Sequence, residues 1–278
     1  MIIVPFLFVI PRRNVPFCFY QMSYLFFIIP FSYSIIIFEN FICPLLIAII
    51  IVEELLIIIG GYIMESEKII EKLKTFTTSE LCDGFGDGCY RTMDYHIKRQ
   101  VTNKNIVGRA YPVDTPYGIS GIIPNAILDA KEGDVIVVAG KGFCKGSFWG
   151  DHRSICAAKK GLAGVVIDGA FRDKEGCEEA GVPIYARCVV PGSAGKCQQG
   201  KLNTTIVCGG AEVNPGDYIV ADVNGVVVIR PDEVECVMKK AEEKIAAEKA
   251  TIQRMEETGE ILPRVLKFNL KGSRSFCI

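Results

Sequence analysis

Residues 145–173 constrain this chain more than any other stretch, because they place acidic and basic side chains beside two predicted helix starts. A glycine-containing loop, Gly146 to Gly150, leads into a predicted helix that begins at Asp151. A second predicted loop ends in Arg172 and Asp173. The first amides of a helix lack hydrogen-bond partners and the helix dipole is positive there, so anions bind well at such places. The stretch therefore predicts a site for a small anion.

The spacing of these residues resembles the signature of a known family. Asp151, twenty intervening residues and the adjacent Arg172 and Asp173 are similar to the D-x20-R-D signature of the class II, metal-dependent pyruvate aldolases. The type member of that family is 4-hydroxy-4-methyl-2-oxoglutarate aldolase, and RraA-like regulators of ribonuclease activity share its fold. The resemblance runs from about Thr77 to about Lys240 and includes the segments SELCDGFG, EGDVIVVAG, PGDYIVAD and NGVVVIRP in that order.

Charge and cysteine content argue against several classes of function. The chain has 278 residues and a formal net charge of −1, which gives no electrostatic reason to expect nucleic acid as a partner. Its 12 cysteines include no CxxC pair and it has only 2 histidines, so a zinc site is not expected. Reduced thiols in a cytoplasmic protein are the expectation.

Residues 1–63 form an apolar segment that differs from the rest of the chain. Residues 18–38 carry no charge and are long enough to cross a bilayer. Glu53 and Glu54 interrupt the apolar run that follows, where each carboxylate would cost about 2.5–3.5 kcal/mol. Three interpretations stay open: a membrane anchor, a targeting segment, or a misassigned start with the native protein beginning at Met64. The third is favoured, because the family resemblance begins only after Met64, and a membrane partner is expected only if the segment is genuine.

From Met64 onward the hydrophobic patterns predict an α/β domain, residues 64–262, followed by a basic tail, residues 263–278. Predicted strands and helices alternate in the first half of the domain, and strands pair by a hairpin in the second half. The predicted strands are 106–113, 135–139, 163–167 and 218–221. The predicted helices are 65–76, 79–85, 125–130, 151–160 and 231–257.

Three local signals refine this prediction. Thr78 or Ser79 is expected to cap the second helix, Asn224-Gly225 predicts a hairpin with a type I′ turn, and Gly259 is expected to end the last helix. Together the elements predict a mixed sheet with helices on its faces. The family resemblance implies, more specifically, an αββα sandwich of the phosphohistidine-domain, RraA-like type with a β-barrel-like centre.

An aldol cleavage that releases pyruvate must stabilise an enolate, either through a lysine Schiff base or through a divalent cation. No lysine stands out, since Lys141 and Lys145 lie in a predicted glycine-rich loop, and Lys159 and Lys160 lie on a helix face. The metal route fits better, because the Asp173 carboxylate is a hard oxygen ligand suited to Mg²⁺ or Mn²⁺. The expected cofactor is therefore a divalent cation.

The resemblance implies a role for each residue of the signature. Asp173 would bind the cation, Arg172 would contact the keto and carboxylate oxygens of a small 2-oxo acid, and Asp151 would orient water that takes the proton of the substrate hydroxyl. The expected catalytic residues are Arg172 and Asp151, and the expected substrate-binding residues are Gly150, Asp151, His152, Arg153 and Arg172. The resemblance also implies a homotrimer or hexamer in which a neighbouring subunit contributes a further acidic residue.

Each residue also has a structural interpretation. Asp151 and Asp173 are typical helix N-caps, an adjacent arginine and aspartate often form a surface ion pair, and His152 is expected to face solvent. The expected function is a divalent-metal-dependent lyase that cleaves 4-hydroxy-2-oxo acids to pyruvate and also decarboxylates oxaloacetate. The alternatives are an RraA-like regulator that inhibits ribonuclease by binding it, and an isomerase or hydratase with the same metal-enolate site.

Overall fold

The computed structural model describes residues 51–53, 66–86 and 91–261. The elements named below lie in the second of two units of the chain, Gly60–Ile278. Predictions for the apolar segment 1–63 and for the tail 263–278 fall outside the described residues, apart from 51–53, which are helical. None of the described helices combines the length and the apolar character needed to span a membrane.

Strands and helices alternate through the first half of the described domain. The strands are β1 (Lys98–Val101), β2 (Ile106–Asp114), β3 (Asp134–Trp149), β4 (Gly164–Phe171), β5 (Ile184–Val189), β6 (Lys201–Leu202), β7 (Ile206–Cys208), β8 (Ala211–Val213), β9 (Tyr218–Ala221) and β10 (Val226–Ile229). The helices are α1 (66–73), α2 (Thr78–Phe85), α3 (Ile123–Asp129), α4 (Asp151–Lys160), α5 (Lys174–Ala180) and α6 (Val234–Thr258).

The main sheet is mixed. Its strands follow the order β1-β5-β4-β3-β2-β9-β10, with β6 paired to β2 off that path. Strands β2, β3, β4 and β5 are parallel, and α4 and α5 make the crossovers from β3 to β4 and from β4 to β5. Strands β1, β9 and β10 pair antiparallel with their neighbours. The sheet curls into a half-barrel, which confirms the predicted α/β sandwich with a mixed sheet and a barrel-like centre.

Apolar side chains pack on both faces of the sheet. Helices α3, α4 and α5 cover one face around Ile167. The β7–β8 hairpin packs around Val137 on another, and α1, α2 and α6 pack on β9 and β10 around Val227. Every residue of β4 is buried, as expected for a central parallel strand. Each fully buried Val or Ile contributes about 1.5–3 kcal/mol of transfer free energy, so these layers hold the carboxyl end of β4 in place.

The predicted loop from Gly146 to Gly150 is wrong, because β3 continues through Trp149. The strand shifts register at several points after Val138, which bends it and keeps it paired with β4. Ser147 also bridges to Ser193. A Cβ on Gly146 would lie 2.8 Å from the carbonyl oxygen of Ser193, so this glycine permits a close backbone approach and does not mark a loop.

Strand β4 extends to Phe171, beyond the predicted end at Ile167. Asp168, which follows Ile167, is buried inside the strand. Its Oδ1 accepts a hydrogen bond from Nε of Arg187 at 2.5 Å, and its Oδ2 accepts one from the amide of Gly209. Because the ion pair stabilises a buried carboxylate, Asp168 can lie inside β4 and the strand continues to Phe171. The second predicted loop therefore consists only of Arg172 and Asp173.

Two local predictions need correction and one is confirmed. The cap of α2 is Thr77, not Thr78 or Ser79, because Thr77 and Glu80 form a capping box. The predicted hairpin joins β9 to β10, but its turn is not type I′, since Asn224 does not have positive φ. The Asp222 carboxylate accepts a bond from the amide of Asn224 and closes a longer loop. Gly259 ends α6 in the left-handed conformation, as predicted.

The cysteines of the described domain are mostly reduced. Free thiols are found at Cys82, Cys144, Cys156, Cys177, Cys188, Cys197 and Cys208. Cys236 is disulfide-bonded, so the expectation of reduced thiols is wrong at that position.

Candidate active site

A cleft of about 250 Å³ lies at the carboxyl ends of β3 and β4. Parallel α/β sheets commonly bind ligands at this edge, because the loops there are followed by helix starts. The five residues predicted to bind substrate all line the cleft. They are Gly150, Asp151, His152, Arg153 and Arg172.

Gly150 brings the two loops of the site together. It is the N-cap of α4 and is fully extended, with φ −163° and ψ −174°. A Cβ at this position would lie 3.0 Å from Oδ2 of Asp173 and 3.3 Å from Cγ of Arg172. The amide of Arg172 donates to the carbonyl of Trp149 at 3.0 Å. The end of β4 can therefore lie directly against the start of α4 only because position 150 has no side chain.

Arg172 and Asp173 form the predicted pair. Nε of Arg172 lies 3.0 Å from Oδ2 of Asp173, and both side chains are 42% exposed. The surface ion pair anticipated as a structural interpretation therefore exists, and it lies at the cleft. Asp173 is the N-cap residue of α5, as its structural interpretation predicted, but its carboxylate makes no cap hydrogen bond with the helix.

Asp151 begins the first turn of α4, one residue after the N-cap, so its alternative role as N-cap is wrong. Its Oδ1 accepts a hydrogen bond from the amide of His152 at 2.6 Å. The helix dipole favours a carboxylate at this place. Behind it, a Cβ on Gly176 of α5 would lie 2.8 Å from the Cβ of Asp151. The carboxylate is thus fixed at the cleft by its own helix and by α5. His152 is exposed, as expected.

Arg153 is built into the wall of the cleft. Its Nη1 donates to the carbonyl of Phe148, and its Nη2 donates to the carbonyl of Ser120 at 3.0 Å. Burial, followed by the nearby positive charge of Arg172, lowers the pKa of the Arg153 guanidinium to about 10. The positive charges of Arg153 and Arg172 therefore face the same cleft closely enough to interact.

Part of the cleft was not predicted from the sequence. These lining residues come from the start of α3, from β3 and from the loop of residues 190–197. They include Ser120, Gly121, Pro124, Ser147, Ser193 and Lys196. The amide of Ser147 donates to the carbonyl of Gly192 at 2.8 Å, and the amide of Ser120 donates to the carbonyl of Gly195 at 2.7 Å. The composition PGSAGK marks a loop, but no local signal shows that it contacts β3.

The donor set for a metal is small. Within residues 51–53, 66–86 and 91–261, no group of three or more His, Cys, Asp or Glu side chains could hold a metal ion. Asp173 offers a single half-exposed carboxylate beside the cleft. Mg²⁺ keeps several waters and uses one or two protein carboxylates, so this set fits a hydrated divalent cation and does not fit zinc.

The fold and the cleft define an α/β protein whose parallel strands end at a cleft lined by Arg153, Arg172 and Lys196. The chain belongs to the RraA-like family, described as aldolase/RraA, whose model matches residues 78–228.

Individual relatives agree with this assignment. The chain is 35% identical over 181 residues to a protein of Halalkalibacterium halodurans provisionally named 4-hydroxy-4-methyl-2-oxoglutarate aldolase; the match covers 65% of this chain and 85% of that one. The crystal structure of an uncharacterised protein from Pseudomonas syringae has a TM-score of 0.60 at 26% identity, covering 70% of this chain and 95% of that one. The RNA-processing inhibitor RraA of Thermus thermophilus has a TM-score of 0.51 at 25% identity, covering 55% and 92%.

Proposed function

We propose that this protein is a divalent-metal-dependent lyase that cleaves 4-hydroxy-2-oxo acids, such as 4-hydroxy-4-methyl-2-oxoglutarate, to pyruvate. The observation that carries the proposal is the pair Arg172 and Asp173, 3.0 Å apart and in reach of Gly150 at the start of α4. The provisional name of the Halalkalibacterium halodurans relative supports the same class of reaction.

Arg172 would hold the 2-oxo acid end of the substrate. Its guanidinium is planar and always charged, and its paired N–H donors match the carboxylate and keto oxygens. Amides of the first turn of α4, from Asp151 and Arg153, would add donors, because they have no partner within the helix. The pKa of Arg153 is lowered first by burial and then by the charge of Arg172, and a bound carboxylate would offset the second of these effects.

The bond that breaks joins C3 to C4 of the substrate. When the 4-hydroxyl loses its proton, C4 becomes a carbonyl carbon, and the electron pair of the C3–C4 bond enters the enolate of pyruvate. Water then protonates C3. Asp151 would hold the water that accepts the hydroxyl proton, and Arg172 would stabilise the negative charge on the enolate oxygen.

The Asp173 carboxylate would hold the divalent cation, Mg²⁺ or Mn²⁺. When bound, that cation supplies Lewis-acid stabilisation of the developing enolate. Oxaloacetate gives the same enolate when it loses CO₂, so the same residues would support its decarboxylation as a second reaction.

Two further parts of the proposal concern partners. The described residues that line the cleft include a single carboxylate, that of Asp151. We therefore propose a homotrimer or hexamer in which a neighbouring subunit supplies a further acid. The fold likeness to the RNA-processing inhibitor RraA supports a second candidate, a regulator that acts by binding. Asp173 favours the enzyme, because a regulator that only binds has no need of this carboxylate.

The first test is pyruvate release by the purified full-length chain from 4-hydroxy-4-methyl-2-oxoglutarate and from oxaloacetate, with Mg²⁺ or Mn²⁺ and with EDTA. We expect activity with either cation and none with EDTA. Arg172→Lys should lower kcat/KM by about 10²–10³-fold, because lysine cannot make the paired contacts.

Arg254→Lys, at an exposed arginine of α6, is the matched control and should retain activity. Turnover that persists in EDTA, or that survives Asp173→Ala, would reject the metal mechanism. Absence of turnover with both substrates, together with inhibition of a ribonuclease, would establish the regulator.

A further inference from the structure

Two half-buried free thiols lie on the strands that lead into the cleft. Cys144 is on β3, shortly before Ser147, and Cys188 is on β5, just before the loop of residues 190–197. Ser147 and Ser193 of that loop both line the cleft. Neither thiol has a role in the proposed lyase reaction, and both are exposed enough to meet a small reagent from solvent.

Strands β3 and β5 approach each other although β4 lies between them in the sheet. Cα atoms of the two strands come within 8 Å of each other, in the region where β3 shifts register against β4 and bends. A Cβ on Gly142 would lie 3.9 Å from Nε of Arg187, the residue before Cys188. Cys188 itself pairs with Ala170 of β4, whose side chain is only a methyl group. The bend therefore brings Cys144 towards Cys188 across a small residue.

The two thiols also interact with each other. Burial, followed by a hydrogen bond with the side chain of Cys188, raises the pKa of the Cys144 thiol to about 11. Heavy atoms that are in contact but not bonded stay about 3.5 Å or more apart, whereas the S–S bond of a disulfide is about 2.05 Å long. Formation of that bond would therefore draw the two strands together by roughly 1 Å.

We propose that Cys144 and Cys188 form a reversible disulfide by exchange with a low-molecular-weight disulfide such as oxidised glutathione, and that this bond lowers the activity of the cleft. One protein thiolate attacks a sulfur of the oxidant and displaces one glutathione thiolate. The second protein thiolate then attacks the protein sulfur of the mixed disulfide and displaces the other glutathione. The protein loses two electrons and the oxidant gains them, and each released glutathione thiolate takes up one of the two protons that the protein thiols lose.

The disulfide would act on the cleft through Ser147. The amide of Ser147 donates to the carbonyl of Gly192 at 2.8 Å, and the amide of Ala194 donates to the carbonyl of Ser147 at 3.0 Å. The end of β3 and the loop of residues 190–197 thus form one wall of the cleft, and the new bond would join the two strands that support it. A shift of about 1 Å in such a wall costs on the order of 10²-fold in rate. For this kinetic effect the inference rests on the proposed function.

Peptide mapping by mass spectrometry detects the bond directly. The full-length protein is incubated with oxidised glutathione, alkylated and digested, and we expect a cross-linked peptide that joins Cys144 to Cys188 and disappears after dithiothreitol. Because the bond closes a long loop, the urea midpoint of unfolding should rise by about 1 M. Cys144→Ser and Cys188→Ser should show neither change. Cys197→Ser, at an exposed thiol of the cleft loop, is the control and should respond like the wild type.

Two further measurements show whether the bond acts on the cleft. On oxidation, kcat/KM for pyruvate release should fall about tenfold or more, recover with dithiothreitol, and stay unchanged in the two serine variants of Cys144 and Cys188. If the chain releases no pyruvate, its calorimetric affinity for pyruvate should show the same reversible loss, so the inference is tested apart from the lyase proposal. Glutathione that stays attached to one thiol, a cross-link between other cysteines, or unchanged affinity and activity in the oxidised wild type would overturn the inference.

Discussion

Asp173 is held in the left-handed region, with φ 55° and ψ 49°. This conformation costs an ordinary L-residue roughly 1–2 kcal/mol, although aspartate tolerates it better than most. The strain coincides with the carboxylate that lies beside Arg172 at the cleft. Strained backbone of this kind is often retained at functional sites, where side-chain chemistry outweighs the stability cost.

Substitutions at Asp173 should separate backbone strain from chemistry. The free energy of unfolding of Asp173→Gly should exceed that of Asp173→Ala by about 1 kcal/mol, because only glycine is free of the left-handed penalty. The glycine variant should therefore unfold at a higher urea concentration. Both variants should lose about 10²–10³-fold in pyruvate release, because both lack the carboxylate. Urea unfolding and the pyruvate assay measure the two effects.

Asp173→Asn is the control, because asparagine tolerates the left-handed region and keeps the shape of aspartate without its charge. It should be close to the wild type in stability and inactive. Equal stability of the glycine and alanine variants would contradict the strain, and wild-type activity in any of the three would contradict the role of the carboxylate.

At the scale of elements, the cleft depends on how closely α5 approaches α4. The contact is made through Gly176, where a Cβ would lie 2.8 Å from the Cβ of Asp151. A glycine inside a helix normally weakens it by about 1 kcal/mol relative to alanine. The chain accepts this cost, because a side chain at position 176 would push the carboxylate of Asp151 away from the cleft.

Gly176→Ala sets two effects against each other. The gain in helix propensity is about 1 kcal/mol, whereas the added methyl forces α4 and α5 apart at a cost of about 1–3 kcal/mol. We therefore expect stability to change little or to fall. The kcat/KM for pyruvate release should fall by roughly tenfold or more, because Asp151 moves from its position.

Glu179→Ala is the matched control, since it raises helix propensity at an exposed position of α5. It should retain full activity. A Gly176→Ala enzyme with unchanged kcat/KM would show that the position of Asp151 is unimportant for the reaction.

At the scale of the whole molecule, Arg187 on β5 joins distant parts of the chain. Its Nε binds Asp168 of β4 at 2.5 Å, and its Nη2 binds Asp94 at 3.0 Å. The pKa of the Asp94 carboxyl is lowered to about 2, first by the hydrogen bond from the amide of His96 and also by the His96 side chain and Arg187. The network links the segment before β1 to the buried centre of the sheet.

This network predicts an acid-sensitive part of the folding free energy. Because the folded pKa of Asp94 lies below its ordinary value of 3.8, the ionised carboxylate stabilises the fold above about pH 4, and this stabilisation is lost as the pH falls towards 2. Asp94→Asn should cost about 1 kcal/mol at pH 6, a value reduced for the partial exposure of the pair. About half of that difference should remain at pH 3.

Urea unfolding at pH 6 and pH 3 measures this difference between the variant and the wild type. Asp232→Asn, at an exposed aspartate before α6, is the control and should show no such dependence. A difference between Asp94→Asn and the wild type that stays constant with pH would contradict the proposed source of the stabilisation.

Local patterns predicted much of the fold. Asp151, as an acidic start after Gly150, predicted α4 at its observed bounds, and the Gly259 stop of α6 was also predicted correctly. The capping residue of α2 was misplaced because Thr78 is used by a distant partner, Asp222, whose carboxylate accepts from both its amide and its hydroxyl. The prediction of a type I′ turn was wrong for a similar reason, since the carboxylate of Asp222 also accepts from the amide of Asn224 and closes the loop.

The amino-acid sequence by itself determined the bounds of α4, the alternation of strands and helices, and the chemical character of Asp151, Arg172 and Asp173, because these depend on neighbours along the chain. Only the tertiary structure decided that β3 continues past Gly146, that Arg153 donates to backbone carbonyls, and that Lys196 lines the cleft beside Arg172. Those outcomes depend on contacts between residues far apart in the chain. Their free energy comes from packing and from paired buried groups, which no local pattern records.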